Sequence, residues 1–277
     1  MPLRAPAPAE QQAQPEMVAL FVSDIHLCAS MPQTTAAFFQ FLHTEARHAH
    51  ALYLLGDIFE YWAGDDDLAA PFNRSVVDAI RAVSDQGVAV YWLAGNRDFL
   101  VGAAFARASK LTLLHEPHVT SIAGQRLLLV HGDAECTDDL AYMAFRQQVR
   151  NPAWQQAFLA QPLAARKAII ASMREGSRDA QRDKSMAIMD VNEAAIQALF
   201  ARESVDVMIH GHTHRPARHQ HHVAGRACVR YVLPDWDADG APVRGGWLAV
   251  DAAGTITAHQ ADKHAAFIPS AYSNAPG

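Results

Sequence analysis

Residues 205–214 read VDVMIHGHTH, a short apolar and β-branched run that breaks at Gly211 into two histidines, His212 and His214. A run this short, bounded by glycine, suits a buried strand better than a helix. The same pattern recurs in MVALFVSD (17–24), ALYLLGD (51–57), VAVYWLAGN (88–96), RLLLVHGD (126–133) and WLAVD (247–251). Helical periodicity fills two of the gaps, TTAAFFQFLHTEAR (34–47) and PFNRSVVDAIRAVSDQG (71–87), the second closing on Gly87 as the residue after the C-cap. Strands alternating with helices predict an α/β fold.

In an open α/β sheet, ligands bind beyond the C-terminal ends of the strands. There stand Asp24 with His26, then Asp57, Asn96, His131, and His212 with His214, seven oxygen or imidazole donors from five strand ends. A single aspartate after a strand is ordinarily a helix cap or turn residue. Five strand ends supplying donors together point instead to a shared site. Asp24 and His26 alternate along an extended end and can reach the same side. A carboxylate such as Asp57 can bridge two cations, and Asn96 adds a neutral oxygen. Mixed nitrogen and oxygen ligation without thiolate suits Mn, Fe or Zn better than Ca or Mg, and leaves the first three open.

Composition narrows the rest. Half of the 277 residues are apolar and 19% are charged, enough for a sizeable core. Formal net charge is -6, which gives no electrostatic case for a nucleic-acid partner. The three cysteines, Cys28, Cys136 and Cys228, lie far apart with no CxxC pair and suggest a reducing compartment. Residues 1–16, rich in Pro, Ala and Gln, are expected to be a disordered tail without an apolar leader, and residues 266–277 a loose end.

The blocks DxH (24–26), GD (56–57), GN (95–96), HGD (131–133) and GHTH (211–214) resemble the five ordered blocks of the calcineurin-like metallophosphoesterases. The resemblance implies a four-layer fold, two packed β-sheets with helices outside. It also implies that Asp24, His26, Asp57 and His214 hold one metal, that Asp57, Asn96, His131 and His212 hold a second, and that a hydroxide activated by the pair attacks the substrate. One block departs from the family pattern. Where many members carry a histidine after GN, this chain has Arg97 in GNRDF. Arginine cannot donate a proton near neutral pH, but its guanidinium can clamp phosphate oxygens. A leaving group that is itself a phosphate needs little protonation, so Arg97 favours a diphosphate over an alkyl phosphate ester.

Longer stretches, SDIHLC (23–28), GDIFEYWAGDDD (56–67), LAGNRDFL (93–100), HGDAECTDDLAYMAFR (131–146), KSMAIMDVN (184–192) and MIHGHTHRP (208–216), are similar to the branch of that family that acts in lipid A biosynthesis. That resemblance implies a lipid-linked UDP-sugar substrate, two divalent metal ions, usually Mn2+, and peripheral residence on the cytoplasmic face of the inner membrane, without an obligate protein partner. The catalytic set it implies is Asp24, His26, Asp57, Asn96, Arg97, His131, His212 and His214. Substrate contacts carry over to Asn96, Arg97, Asp139, Ser177, Gln181, Lys184 and His212. Gln181 stands where family members often have Asn, and Tyr142 is a further candidate. The rival readings are a phosphoesterase for a soluble nucleotide diphosphate and a non-catalytic scaffold of the same fold.

Between two metal blocks, residues 138–200 show helical stripes and no strand runs, and an inserted helical cap is expected there, with the core at 17–137 and 201–265. Its apolar residues suit either a seam with the core or a groove for acyl chains. From Arg146 to Lys184, eight Lys or Arg stand against three acidic residues. That excess fits either a solvated helix face or attraction to anionic head groups at ~1 kcal/mol per basic residue. In the histidine-rich tract that follows the strand, His210 is expected at the strand end or behind the ligands. His219, His221 and His222 are expected to decorate a loop.

Overall fold

The computed structural model describes residues 17–182 and 190–261, the side chains of 175–182 excepted. Six strands form a first sheet: β1 (Met17–Val22), β2 (Ala51–Leu55), β3 (Ala89–Leu93), β4 (Thr112–Leu114), β10 (Gly246–Asp251) and β11 (Ile256–Gln260), in the order β11-β10-β1-β2-β3-β4. Five form a second: β5 (His118–Ile122), β6 (Gln125–Leu129), β7 (Val207–His210), β8 (Ala217–Val223) and β9 (Arg226–Val232), in the order β5-β6-β7-β9-β8. Strands β1 to β4 run parallel, as do β6, β7 and β9, while β10, β11, β5 and β8 pair antiparallel.

The period-two alternation of the strands builds the layers. Ala19 and Phe21 of β1, Tyr53 and Leu55 of β2 and Leu93 of β3 pack against Leu127, Leu129 and Ile209 of the second sheet, which forms the core between the sheets. The alternate residues Leu20, Val22, Leu52, Leu54, Val90 and Trp92 face helices α1 (Pro32–Thr44), α2 (Pro71–Asp85) and α3 (Ala103–Ser109), meeting Phe38, Phe41, Val76, Ile80 and Phe105. Both faces are therefore apolar, as a covered parallel sheet requires. Trp92 is 1% exposed and meets the Phe105 ring edge-on at 5.1 Å, so its truncation to Ala would cost roughly 3–5 kcal/mol. Pro71 opens α2, and Gly87, at φ +94°, follows its C-cap as the sequence suggests.

Helices α4 (Leu140–Val149), α5 (Pro152–Leu159), α6 (Leu163–Arg182) and α7 (Glu193–Glu203) fill the interval between β6 and β7. Asp139, Asn151 and Asn192 cap α4, α5 and α7 through their side-chain oxygens. The interval divides by packing. Phe158 of α5 joins the outer cluster of the first sheet. Helix α7 covers the outer face of the second sheet, where Ile196, Leu199 and Phe200 meet Leu128, Val130 and Met208. This helix is therefore a fourth layer of the core, although its sequence falls inside the span expected as cap.

Two sequence expectations change here. His219, His221 and His222 lie on strand β8, paired residue by residue with β9, and His221 is 6% exposed. The turn between these strands has two left-handed residues, Ala224 at φ +49° and Gly225 at φ +78°, which suits a tight hairpin. The five cations of the basic run whose side chains are described also turn toward the core. Arg146 pairs with Asp133 at 2.8 Å and with Glu116 at 3.1 Å. Arg150 donates to the Gly95 carbonyl at 3.0 Å. Arg166, 1% exposed, binds the Ala63 carbonyl and Asp66, Lys167 reaches Asp67 at 2.7 Å, and Arg174 pairs with Glu60. These five cations clasp the helices to acidic loops of the core, where the carboxylates offset the cost of taking them from water. Lys184 and the side chains of Arg178 and Arg182 lie outside the described residues.

Candidate metal centre and adjoining cavity

The parallel strands of both sheets end at one place. Asp24 follows β1, Asp57 follows β2, Asn96 follows β3, His131 follows β6, and His212 and His214 follow β7. Asp24, His26, Asp57, His212 and His214 all have φ between +53° and +66°, five of the nine non-glycine residues in the left-handed region among the described residues. Such conformations are costly outside glycine and gather at functional sites. Their effect here is to turn five side chains out of strand direction into one space.

The glycines of the motifs leave that space open. A Cβ on Gly95 would overlap the Asp57 carboxylate, and one on Gly211 would overlap both Asp24 Oδ2 and the Ser23 hydroxyl. Asp24 Oδ2 is fixed by the Ser23 hydroxyl at 2.5 Å and the His212 amide at 2.9 Å. Its other oxygen, Oδ1, is buried with no hydrogen-bond partner among the described residues. A buried carboxylate oxygen left bare is costly unless positive charge faces it. His214 Nε2 lies 3.4 Å from that oxygen and 3.3 Å from His26 Nε2. Donor atoms of Asp24, His26 and His214 lie within 4.8 Å of one another, as do those of Asp24, Asp57 and His131. Asn96 Oδ1 is 3.0 Å from His131 Nε2, and the His212 ring lies 5.1 Å from the His131 ring. Two groups of oxygen and imidazole donors with no thiolate fit a pair of divalent cations. Asp24, rather than Asp57, is the residue common to both close groups.

The imidazoles are aimed from behind. The His131 Nδ1–H donates to the Leu55 carbonyl at 2.9 Å, Glu60 Oε2 lies 3.0 Å from His26 Nδ1, and Asp235 Oδ2 lies 3.7 Å from His214 Nδ1. For His131 that acceptor fixes the tautomer and leaves Nε2 free to ligate, while Glu60 and Asp235 set negative charge behind the other two rings. Burial opposes the charge on His131, yet Asp57, Asp24, Asp133 and Glu116 raise it to about 9. Burial and the neighbouring His131 lower His212 to about 4. Burial also opposes ionisation of Asp24, but the adjacent His214 imidazole and the charges of His131 and His26 hold its carboxyl well below the usual range.

Sequence reasoning brought all seven ligand candidates and Arg97 to this place, but missed what supports them. Glu60 and Asp235 stand behind histidine rings and carry no spacing signal. Asp98 is fully buried and receives the amides of Ile58 and Gly95, both at 2.8 Å, tying the GD loop to the GN loop. Burial and the Asp57 charge raise it to about 6. Asp139 lines the adjoining cavity while capping α4 through the Tyr142 amide. The Tyr142 hydroxyl donates to Asp133 at 2.6 Å, and its ring stacks on His212 at 6.2 Å. Lys184 and the side chains of Ser177 and Gln181 lie outside the described residues.

A cavity of about 910 Å³ opens from the donor groups. Its polar end carries His26, Asp57, Asn96, Arg97, His212 and His214, and its walls Phe99, Phe145, Val149, Trp154, Phe158, Ile170 and Met173. The apolar walls come largely from α4, α5 and α6.

Fold, ligand geometry and motif order together define a phosphoesterase of one class. The chain belongs to the calcineurin-like phosphoesterase family, whose model matches residues 17–216, and it is a metal-dependent hydrolase. Within that class its similarity is to proteins named UDP-2,3-diacylglucosamine hydrolase. The one from Aromatoleum aromaticum is 51% identical over 223 residues, 80% of this chain and 91% of that protein. Those from Shigella dysenteriae serotype 1 and Escherichia coli are each 50% identical over 228 residues, 82% of this chain and 95% of theirs.

Proposed function

We propose that this chain hydrolyses the diphosphate of UDP-2,3-diacylglucosamine, releasing UMP and 2,3-diacylglucosamine 1-phosphate (lipid X), as a step in lipid A biosynthesis. The observation that carries the reading is the cavity itself. A diphosphate calls for the cationic and donor groups at its polar end, and two acyl chains call for the apolar wall that continues from them. A soluble nucleotide diphosphate would leave that wall unused. The relatives that match most of this chain carry the name of this substrate.

On this reading Asp24, His26, Asp57 and His214 would hold one divalent cation, and Asp57, Asn96, His131 and His212 would hold the other, with manganese as the metal; Asp24, whose carboxylate lies close to both donor groups, would stand beside the shared Asp57. Cations so held lower the pKa of a water and neutralise charge on the phosphoryl oxygens. The chain's own groups do the rest. Arg97 clamps non-bridging phosphate oxygens, and since the departing group is a sugar phosphate, no proton donor is needed in its place. Tyr142, held by Asp133, braces the His212 ring. The Leu55 carbonyl keeps the His131 imidazole aimed inward, and Glu60 and Asp235 set negative charge behind His26 and His214. Asp139, which lines the cavity, is proposed as a further substrate contact; Ser177, Gln181 and Lys184 are proposed with it from the sequence alone, since their side chains lie outside the described residues.

The substrate's acyl chains also suggest how the protein meets a membrane. Phe145 and Met173 line the cavity while 38% and 40% exposed, and Leu140, beside the lining Ala141, is 77% exposed. No helix among the described residues is long and apolar enough to cross a membrane. We propose peripheral attachment to the cytoplasmic face of the inner membrane, which this apolar mouth supports in place of the basic run.

Hydrolysis in ¹⁸O-water with Mn2+ tests the reaction. Attack at the phosphorus on the uridine side puts the label in UMP. Label in the lipid sugar phosphate, or no UMP, would contradict it.

A further inference from the structure

Behind the turn Gly211–His214 the fold buries an arginine against two imidazoles. Arg230 of β9 is 5% exposed. Its Nη1 lies 2.9 Å from His210 Nε2, its Nε lies 3.4 Å from His221 Nε2, and His221 Nδ1 meets Glu193 Oε1 at 2.8 Å. No carboxylate lies in ion-pair contact with this guanidinium among the described residues; Asp190 and Glu193 act on it from farther away, and the two histidines take its hydrogen bonds.

A guanidinium has donors only. Nε2 of His210 must therefore accept, and the ring's proton stands on Nδ1, 2.8 Å from the Gly211 carbonyl, to which it donates. That one residue joins the site together. The Gly211 amide donates to the His131 carbonyl at 2.9 Å, its carbonyl also receives the Thr213 amide at 2.8 Å, and the next amide, of His212, donates to Asp24 Oδ2 at 2.9 Å. His212 and His214 themselves sit at φ +66° and +53°, conformations that persist only when their surroundings hold them. The His210 ring is packed closely enough that a Cβ on Gly132 would meet its Nδ1 at 2.8 Å.

We infer that Arg230 is a positioning residue for the metal centre: by fixing the His210 tautomer it secures the Gly211 carbonyl, and through it the aim of His212 and His214. It is not among the residues lining the cavity, and its contact toward the donor groups is with His210. The inference rests on the metal-site reading proposed above, and the test separates the two.

The full chain, stripped of metal, is titrated with Mn2+ and free Mn2+ is followed by electron paramagnetic resonance. Arg230→Gln should raise the Mn2+ dissociation constant on the order of 10- to 100-fold, the usual cost of losing a group behind a ligand. Arg230→Lys, which remains a pure donor, should recover most of that loss. At saturating Mn2+ the KM for substrate should match the parent's. Equal Mn2+ affinity in Arg230→Gln and parent, or an Arg230→Lys as weak as Arg230→Gln, overturns the inference while leaving the metal site standing. If Arg230→Gln does not fold, His210→Asn is read instead: weakened Mn2+ binding supports the inference and unchanged binding overturns it. A parent chain that binds no Mn2+ removes the metal-site reading, and this inference with it.

Discussion

Glu60 Oε2 lies 3.0 Å from Nδ1 of His26, and the other oxygen of the same carboxylate is bonded by Arg174 of α6. One side chain thus connects a candidate metal ligand to the helical wall of the cavity. Burial works against its charge, but His26, Arg97 and Arg174 hold its carboxyl down to about 2, so it stays ionised at any working pH. Glu60→Gln removes the charge and keeps the shape. Mn2+ affinity should fall about 10- to 100-fold, measured by metal titration of the stripped chain. Unchanged affinity would mean that His26 needs no support from behind.

Gly211→Ala places a methyl where Asp24 Oδ2 and the Ser23 hydroxyl already stand. The backbone there cannot shift freely, since its amide and carbonyl both have partners. Activity should drop at least ~100-fold, because an ångström of misplacement at a reacting centre costs that much. Assays at saturating Mn2+ check this, with circular dichroism confirming the fold. Near-parental turnover would show that the close packing at Gly211 does not matter.

Glu135 is the clearest source of pH-dependent stability outside the ligands. Burial, with Glu116 and Asp133 nearby, pushes its carboxyl up to about 7, and Oε2 has no hydrogen-bond partner among the described residues. Between the ordinary glutamate value and about 7 the folded state binds more protons than the unfolded one, so stability falls as pH rises through that window. The cost is fully present at pH 8 and absent at pH 4. At ~1.4 kcal/mol per pKa unit, it is roughly 3 kcal/mol at most. Glu135→Gln should therefore raise Tm by several degrees at pH 8 and leave it nearly unchanged at pH 4. Thermal melts at both values decide, and an equal shift at the two would rule the titration out.

The candidate donors were legible because each follows a strand run directly, so period and position both mark them. The supports were not. Glu60 and Asp235 reach histidine nitrogens from loops, and nothing in their spacing distinguishes them from solvated acids. Strand β8, ARHQHHV, hides its alternation because its inward His221 is polar and satisfied by Glu193 and Arg230. The basic run misled for a similar reason. Arg166 and Lys167 find their partners in Asp66 and Asp67, about a hundred residues upstream, and composition alone reads such cations as free.

The central claim is that metal-donor groups and an apolar wall share one substrate. Purified chain with Mn2+ is given UDP-2,3-diacylglucosamine or UDP-N-acetylglucosamine, and UMP release is followed, with Asp24→Ala as the inactive control. At ~0.8 kcal/mol per buried methylene, even a few methylenes held in the transition state should favour the diacylated substrate by at least ~100-fold in kcat/KM. Equal kcat/KM for the two substrates, or UMP release by Asp24→Ala at the parental rate, would contradict it.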